Sequence, residues 1–141
     1  IERSMAVLTS AEVVDQAESA YIQGTYKIAL TYNLTPYTDA VSLATVETDE
    51  ITVGDGGYAR LSYTYTSSDL ATYKNGQPFT EKTAEFVHDG SSTEIRFNHV
   101  VLLRDVSGTV TVVGFQTIDQ VAVLTNGSTA RIKINILHGA Q

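Results

Sequence analysis

The chain has 141 residues and contains neither cysteine nor tryptophan. Without cysteine it can form no disulfide and no thiolate metal site, so its stability must come from packing, sheet pairing or assembly. Without tryptophan it lacks the aromatic platform on which sugar-binding sites commonly rely. These two absences exclude several classes of site before any pattern is considered.

Positive charge is also scarce. Nine Lys and Arg residues stand against sixteen Asp and Glu residues, which gives a net charge of −7. A general nucleic-acid binder needs a basic face, and an anionic membrane surface attracts the same kind of face. No apolar run approaches the ~20 residues that a membrane helix requires. We therefore expect neither nucleic acid nor membrane among the partners.

Motifs for catalysis are missing as well. The histidines His88, His99 and His138 do not have metal-ligand spacing, and no serine lies in a G-x-S-x-G elbow. No pair of carboxylates stands out as a glycosidase dyad. His99 falls on an apolar strand face, where a lone histidine is usually a hydrogen-bonded core residue. The sequence predicts a protein that is not an enzyme.

An acidic cluster at residues 47–50 lies close to a glycine-rich turn. Oxygen ligands for Ca²⁺ are available there, because hard cations take several carboxylates. The spaced loop of known calcium motifs is absent, so we favour a solvated acidic loop and predict no cofactor. Calcium near Asp49 and Asp55 is the alternative. The acidic residues in question are Asp39, Glu47, Asp49 and Asp55.

Alternation of apolar and polar residues dominates the rest of the chain. This period of two marks half-buried strands, and turn signals separate one stretch from the next. The Asn-Gly pairs at 75–76 and 126–127 are type I′ hairpin signals, and Gly114 is a candidate bulge. About seven or eight short strands of this kind predict an all-β, mainly antiparallel β-sandwich or jelly-roll-like domain. The clearest stretches are residues 25–34, 58–66, 94–106, 109–116, 121–124 and 129–137.

One helix is predicted, over residues 9–24. Thr9 and Glu12 have capping-box spacing, and an apolar stripe follows at helical intervals. We favour a helix that packs on the chain's own sheet, and the alternative is an arm that docks on a neighbouring subunit. The predicted organisation is one domain, with an arm and helix at 1–24 and a β-sandwich at 25–141.

Eight tyrosines are the enriched feature of the composition. Tyrosine suits strands and is common at interfaces, so each one is either core or contact surface. We expect Tyr26 and Tyr32 in the core. Tyr73 and Phe79 flank a predicted hairpin tip, where mutual packing is favoured over contact with a partner. The candidate interface residues are Val13, Ala17, Tyr21, Tyr37, Tyr58, Tyr73 and Phe79.

The stretch Gly56-Gly57-Tyr58-Ala59-Arg60 joins a glycine turn to a strand, and it carries a resemblance. The order of elements resembles a family of small virion proteins of tailed bacteriophages, described as tail-fibre-like. The likeness covers most of residues 10–136. Its other motifs are Tyr26-Lys27-Ile28-Ala29-Leu30, Val100-Val101-Leu102-Leu103-Arg104-Asp105 and the turn Asn126-Gly127.

The resemblance implies a structural, non-enzymatic component of a virion that is made in the host cytoplasm. It implies capsid or tail proteins as partners, with a role in head decoration or at the tail fibre. A homo-oligomer is expected, and a trimer is the state implied by analogy. An adhesive or glycan-binding β-sandwich is the alternative function.

Overall fold

A computed structural model describes residues 25–63, 73–74 and 77–137 of the chain. The predicted helix at 9–24, with Val13, Ala17 and Tyr21, lies outside these residues, as do the side chains of Tyr73 and Phe79. The larger of two compact units comprises residues 24–64 and 82–134, and the side chains discussed below belong to it.

Two sheets account for most of the described residues, which confirms the predicted all-β class. The first sheet has the strand order β2-β1-β5-β6 and is antiparallel throughout, and the second has the order β3-β4-β7. One short helix, α1, lies between β1 and β2. The elements are β1 (Thr25–Thr31), α1 (Leu43–Asp49), β2 (Leu61–Tyr63), β3 (Tyr73–Lys74), β4 (Gln77–Val87), β5 (Ile95–Val106), β6 (Thr109–Leu124) and β7 (Thr129–Leu137).

β5 is an inner strand of the first sheet, and it matches the strand predicted at residues 94–106. It pairs with β1 on one side and with β6 on the other, and residues 99–103 are all buried. Ala29 and Val101 face each other across the β1–β5 ladder and share a core with Leu103 and Val46 of α1. Burying a side chain such as Leu103 contributes roughly 1.5–3 kcal/mol, so this layer holds the first sheet to α1.

The helix α1 is a correction, because the sequence predicts one helix only, over residues 9–24, and a solvated acidic loop at residues 47–50. Ser42 caps it, because its side-chain oxygen accepts a hydrogen bond from the backbone N–H of Thr45 at 3.2 Å. Val46 is its one buried residue. A helix of seven residues shows too few apolar positions to establish a period, so only the Ser42 cap could have signalled it.

The turn at Asn126-Gly127 forms, but it does not make the predicted hairpin. β6 belongs to the first sheet and β7 to the second, so the turn carries the chain between sheets. The backbone of His88 explains the switch. Its N–H donates to the Ser128 carbonyl, and its carbonyl accepts a hydrogen bond from Gly127 N–H. Those hydrogen bonds start β7 beside the end of β4 instead of beside β6.

Strand boundaries differ from the prediction in three places. β1 ends at Thr31 and leaves Leu34 82% exposed, because the N–H of Tyr32 donates to the Asp49 carbonyl instead of continuing a ladder. In the described part of the chain β2 begins only at Leu61. The two predicted strands at 109–116 and 121–124 are one strand, β6. Its register shifts beside Gly114, where the sequence predicts a bulge.

Candidate functional site

The glycine-rich turn at residues 54–57 adopts the backbone that its composition predicts. Gly54, Gly56 and Gly57 have φ of 98°, 61° and 81°. Space is a second reason for glycine, since a Cβ on Gly56 would lie 2.6 Å from Cδ2 of His88. A Cβ on Gly57 would lie 2.5 Å from Oδ2 of Asp89. The turn is therefore shaped to receive the segment that follows β4.

Three turns meet at this point, and we call the place the turn junction: residues 54–57, 88–92 and 126–128. His88 is only 1% exposed and lies at its centre. Its Nδ1 accepts a hydrogen bond from Gly90 N–H at 3.0 Å, which leaves the ring proton on Nε2, directed at the Ser92 hydroxyl 3.4 Å away. Asp89 N–H donates to the Gly56 carbonyl at 2.9 Å. The histidine is a structural element of the junction.

Tyr58, directly after the glycines, has its ring inside the protein. It is 1% exposed and packs edge-to-face on Phe86, with ring centroids 5.9 Å apart. Its hydroxyl accepts from the backbone N–H of Leu30 at 3.1 Å and donates to Oε2 of Glu50 at 2.6 Å. The carbonyl of Leu30 accepts a hydrogen bond from Ile51 N–H. Leu30 lies beyond the end of the pairing between β1 and β2, so the Tyr58 hydroxyl completes the hydrogen bonding of β1 there.

Glu50 is the acidic partner of two polar side chains in this stretch, Tyr58 and Arg60. Arg60 binds its carboxylate through two nitrogens, with Nη2 2.8 Å from Oε1 and Nε 2.9 Å from Oε2. Burial is the main cause that raises the pKa of Tyr58, and the hydrogen bond to Glu50 raises it further. The phenol therefore stays neutral and keeps its hydrogen bond to Glu50, which locks the turn onto β1.

A second polar cluster lies where β1 meets α1. The Tyr37 hydroxyl donates to Oδ2 of Asp49 at 2.8 Å, and the side-chain amide of Asn33 donates to the same oxygen at 2.9 Å. The Tyr37 ring stacks on His99, with centroids 3.9 Å apart, and Tyr37 N–H donates to Nε2 of His99 at 3.3 Å. The hydroxyl also lies 2.9 Å from Oγ1 of Thr31. The cluster fixes the 32–42 connection onto the sheet.

Burial sets the titration of this cluster. Desolvation raises the pKa of Tyr37 to about 12, with the contact to Asp49 acting in the same direction. Desolvation lowers the pKa of His99, which is fully buried, and the Asp49 charge opposes that effect. Within the described residues His99 Nδ1 has no hydrogen-bond partner. The prediction for this histidine is confirmed, because His99 is a core residue that is hydrogen-bonded through Nε2.

Two of the predicted interface residues are thus placed inside the fold. Tyr58 does not lie at the surface, contrary to the expectation, and Tyr37 is half-buried with its hydroxyl engaged. The acidic cluster is not a freely solvated loop either, because Asp49 and Glu50 both bind neighbouring side chains. Among the described residues, no three His, Asp or Glu side chains are grouped closely enough to hold a metal ion.

Three of the exposed apolar side chains lie on β6, at the edge of the first sheet. This strand has 16 residues, and only β5 pairs with it in the described part of the chain. Val113, Val121 and Val123 are 38%, 38% and 47% exposed. Sequence reasoning missed this surface, although Asp119 is the only charged residue between Asp105 and Arg131.

A groove of about 440 Å³ runs between the second half of β6 and β7. Its floor is apolar and includes Phe97 and Val100 of β5 with Ile118 and Leu124 of β6. Residues 129–133 of β7 form the opposite wall. The groove is shaped for apolar side chains, and the groups on it that carry charge come from the β7 wall.

No helix among residues 25–63, 73–74 and 77–137 has the length and apolar character needed to cross a membrane. Comparison of the chain with protein-family models, with curated proteins and with solved structures finds no match.

Proposed function

We propose that this protein is a non-enzymatic structural component of a tailed-bacteriophage particle, at the head as a decoration protein or at the tail. It works by presenting strand edges and apolar side chains to other subunits. The proposal unites the resemblance of the motif order with the way the fold uses its polar residues. β6 supplies the observation that carries it: a long edge strand, exposed and almost uncharged, in a chain of net charge −7.

The reactive side chains support a structural role because each has a contact within the fold. Tyr58, Glu50 and Arg60 bind one another, and His88 holds the turn junction. Tyr37 and His99 stack on each other over the sheet. In the phage-like motif 56–60, the glycines and Tyr58 therefore serve the architecture of the turn, not a reacting group.

The adhesive or glycan-binding alternative depends on exposed tyrosines together with acidic loops, and two of the candidate tyrosines do not supply such a surface. Tyr58 is buried and Tyr37 is stacked within the fold, and neither ring is free to lie flat on a sugar. We therefore propose the structural role alone.

The proposal is tested on particles. A lysate of the organism that encodes the chain is separated on a density gradient, and each fraction is probed with an antiserum raised against the purified protein. We expect the protein in the fraction that contains DNA-filled particles, and gold-labelled antibody in electron micrographs would assign it to head or tail. Recovery only at the top of the gradient, with other virion proteins in the particle band, would contradict the proposal.

A further inference from the structure

We infer that the free edge of β6 is a self-association surface, on which β6 of a second copy adds antiparallel to join two four-stranded sheets. The inference rests on the proposed function, since it names the first contact that a structural subunit of this kind makes. It concerns residues 109–117, the first half of β6, in which Gln116 is the residue that also lines the groove.

The backbone of this half of β6 presents unpaired groups in a known order. Ser107 and Gly108 both have positive φ, 52° and 88°, as a type I′ turn requires. Such a turn closes on a pair that exchanges both hydrogen bonds, here Val106 and Thr109. Pairs then alternate along the ladder, so the N–H and C=O groups of Val110 and Val112 point away from β5.

The same alternation continues after the bulge. The register moves from Leu103↔Val112 to Leu102↔Gly114, so β6 holds one extra residue, Val113, at this point. Beyond it the outward groups belong to Phe115 and Thr117. Four residues of one edge thus present their backbone donors and acceptors outward, with no strand beside them in the described part of the chain.

Charge favours a second copy over another kind of partner. The chain carries a net charge of −7, so two copies repel each other over most of their surfaces. Residues 106–118 contain no charged residue at all, and an antiparallel pair of such edges brings no like charges together. The contact is also self-complementary, as a two-fold interface must be.

Two of the usual protections of an edge strand, lysine and proline, are missing here. Natural edges carry lysine or proline to prevent pairing, and residues 106–130 contain neither. The length of the proposed contact is limited at the Thr117 end. Between Phe97↔Ala122 and His99↔Thr117 the register shifts again, and this irregularity interrupts the ladder beyond Thr117. The opposite edge of the sheet, β2, has three residues in the described part of the chain. We therefore expect growth to stop at two copies.

The experiment uses two variants of the full chain with the same charge change. In the test variant T111E/T117E the new carboxylates lie on β6 at the proposed contact. In the control variant T83E/T129E they lie on β4 and β7. All four positions are exposed. Light scattering after gel filtration measures mass over a series of concentrations. We expect the parent and the control at twice the 15.2 kDa chain mass, and T111E/T117E weakened at least about tenfold in association.

Hydrogen exchange supplies a second readout that does not depend on the variants folding equally well. The amides of Val110 and Val112 should be protected at high concentration and exchange quickly on dilution, while amides of β5 stay protected at both. A monomeric parent chain, a threefold mass, an equal loss in both variants, or unprotected Val110 and Val112 amides in a dimer would each overturn the inference. Particle association does not enter this test, so either result leaves the proposed function to be judged on the gradient.

Discussion

Replacing Tyr58 with phenylalanine should destabilise the protein by about 2–4 kcal/mol, although it removes a single oxygen atom. The backbone N–H of Leu30 would lose its acceptor inside the fold, and an unpaired buried donor costs about 1–3 kcal/mol. Glu50 would also lose a short hydrogen bond, while Arg60 continues to neutralise its charge. The ring keeps its contact with Phe86, so no cavity adds to the loss.

Urea unfolding at neutral pH measures this loss as the difference in free energy of unfolding between the parent and Y58F. The matched control is Y37F, which deletes the same atom at a half-buried site, where water can replace the lost partner. We expect about 1 kcal/mol there. A loss below about 0.5 kcal/mol in Y58F would refute the argument, because a buried N–H without its acceptor cannot be so well tolerated.

Three further predictions concern the turn and the titrating groups. G56A should lose about 1–3 kcal/mol more than G54A in urea unfolding, since both glycines have positive φ but only a Cβ at Gly56 meets His88. Stability should fall as pH rises from 10 towards 12, because Tyr37 in the fold keeps a proton that the unfolded chain releases, and Y37F should flatten the slope. Stability should also fall as pH drops below 6.5, because burial holds His99 neutral while the unfolded chain takes up a proton, and H99F should reduce this dependence.

Each of these has a result that would count against it. Equal losses in G54A and G56A would mean that the contact with His88 relaxes freely. An unchanged alkaline slope in Y37F would assign that slope to other groups, of which Tyr58 is the first to examine because its pKa is also raised. An acid slope that survives in H99F would show that the buried histidine is not its source.

The sequence was a good guide to the elements that repeat a simple pattern. A strand was predicted at residues 94–106 from the alternation of apolar and polar residues, and β5 spans Ile95–Val106. The positive φ of Gly54, Gly56 and Gly57 is a conformation that glycine adopts without a Cβ penalty. In each case the cause is local, since periodicity and backbone freedom are properties of a few adjacent residues.

The errors have long-range causes. The role of Tyr58 depends on Leu30, 28 positions earlier, so no local pattern distinguishes a buried tyrosine from a contact surface there. The turn at Asn126-Gly127 forms as its composition predicts, but hydrogen bonds to His88 decide which strand receives β7. α1 is too short to show a period, and its one buried residue, Val46, gains its place from the sheet beneath it.

The register of β1 has a kinetic consequence. Thr25 pairs with Asp105 and Thr31 with His99, whereas β5 and β6 are joined by a turn of two residues. Closing the short hairpin restricts little of the chain, while docking β1 must first bring together segments separated by most of the domain. We expect the β5–β6 hairpin to organise early and β1 to arrive late. During synthesis, β1 therefore leaves the ribosome long before the strand it needs has been made.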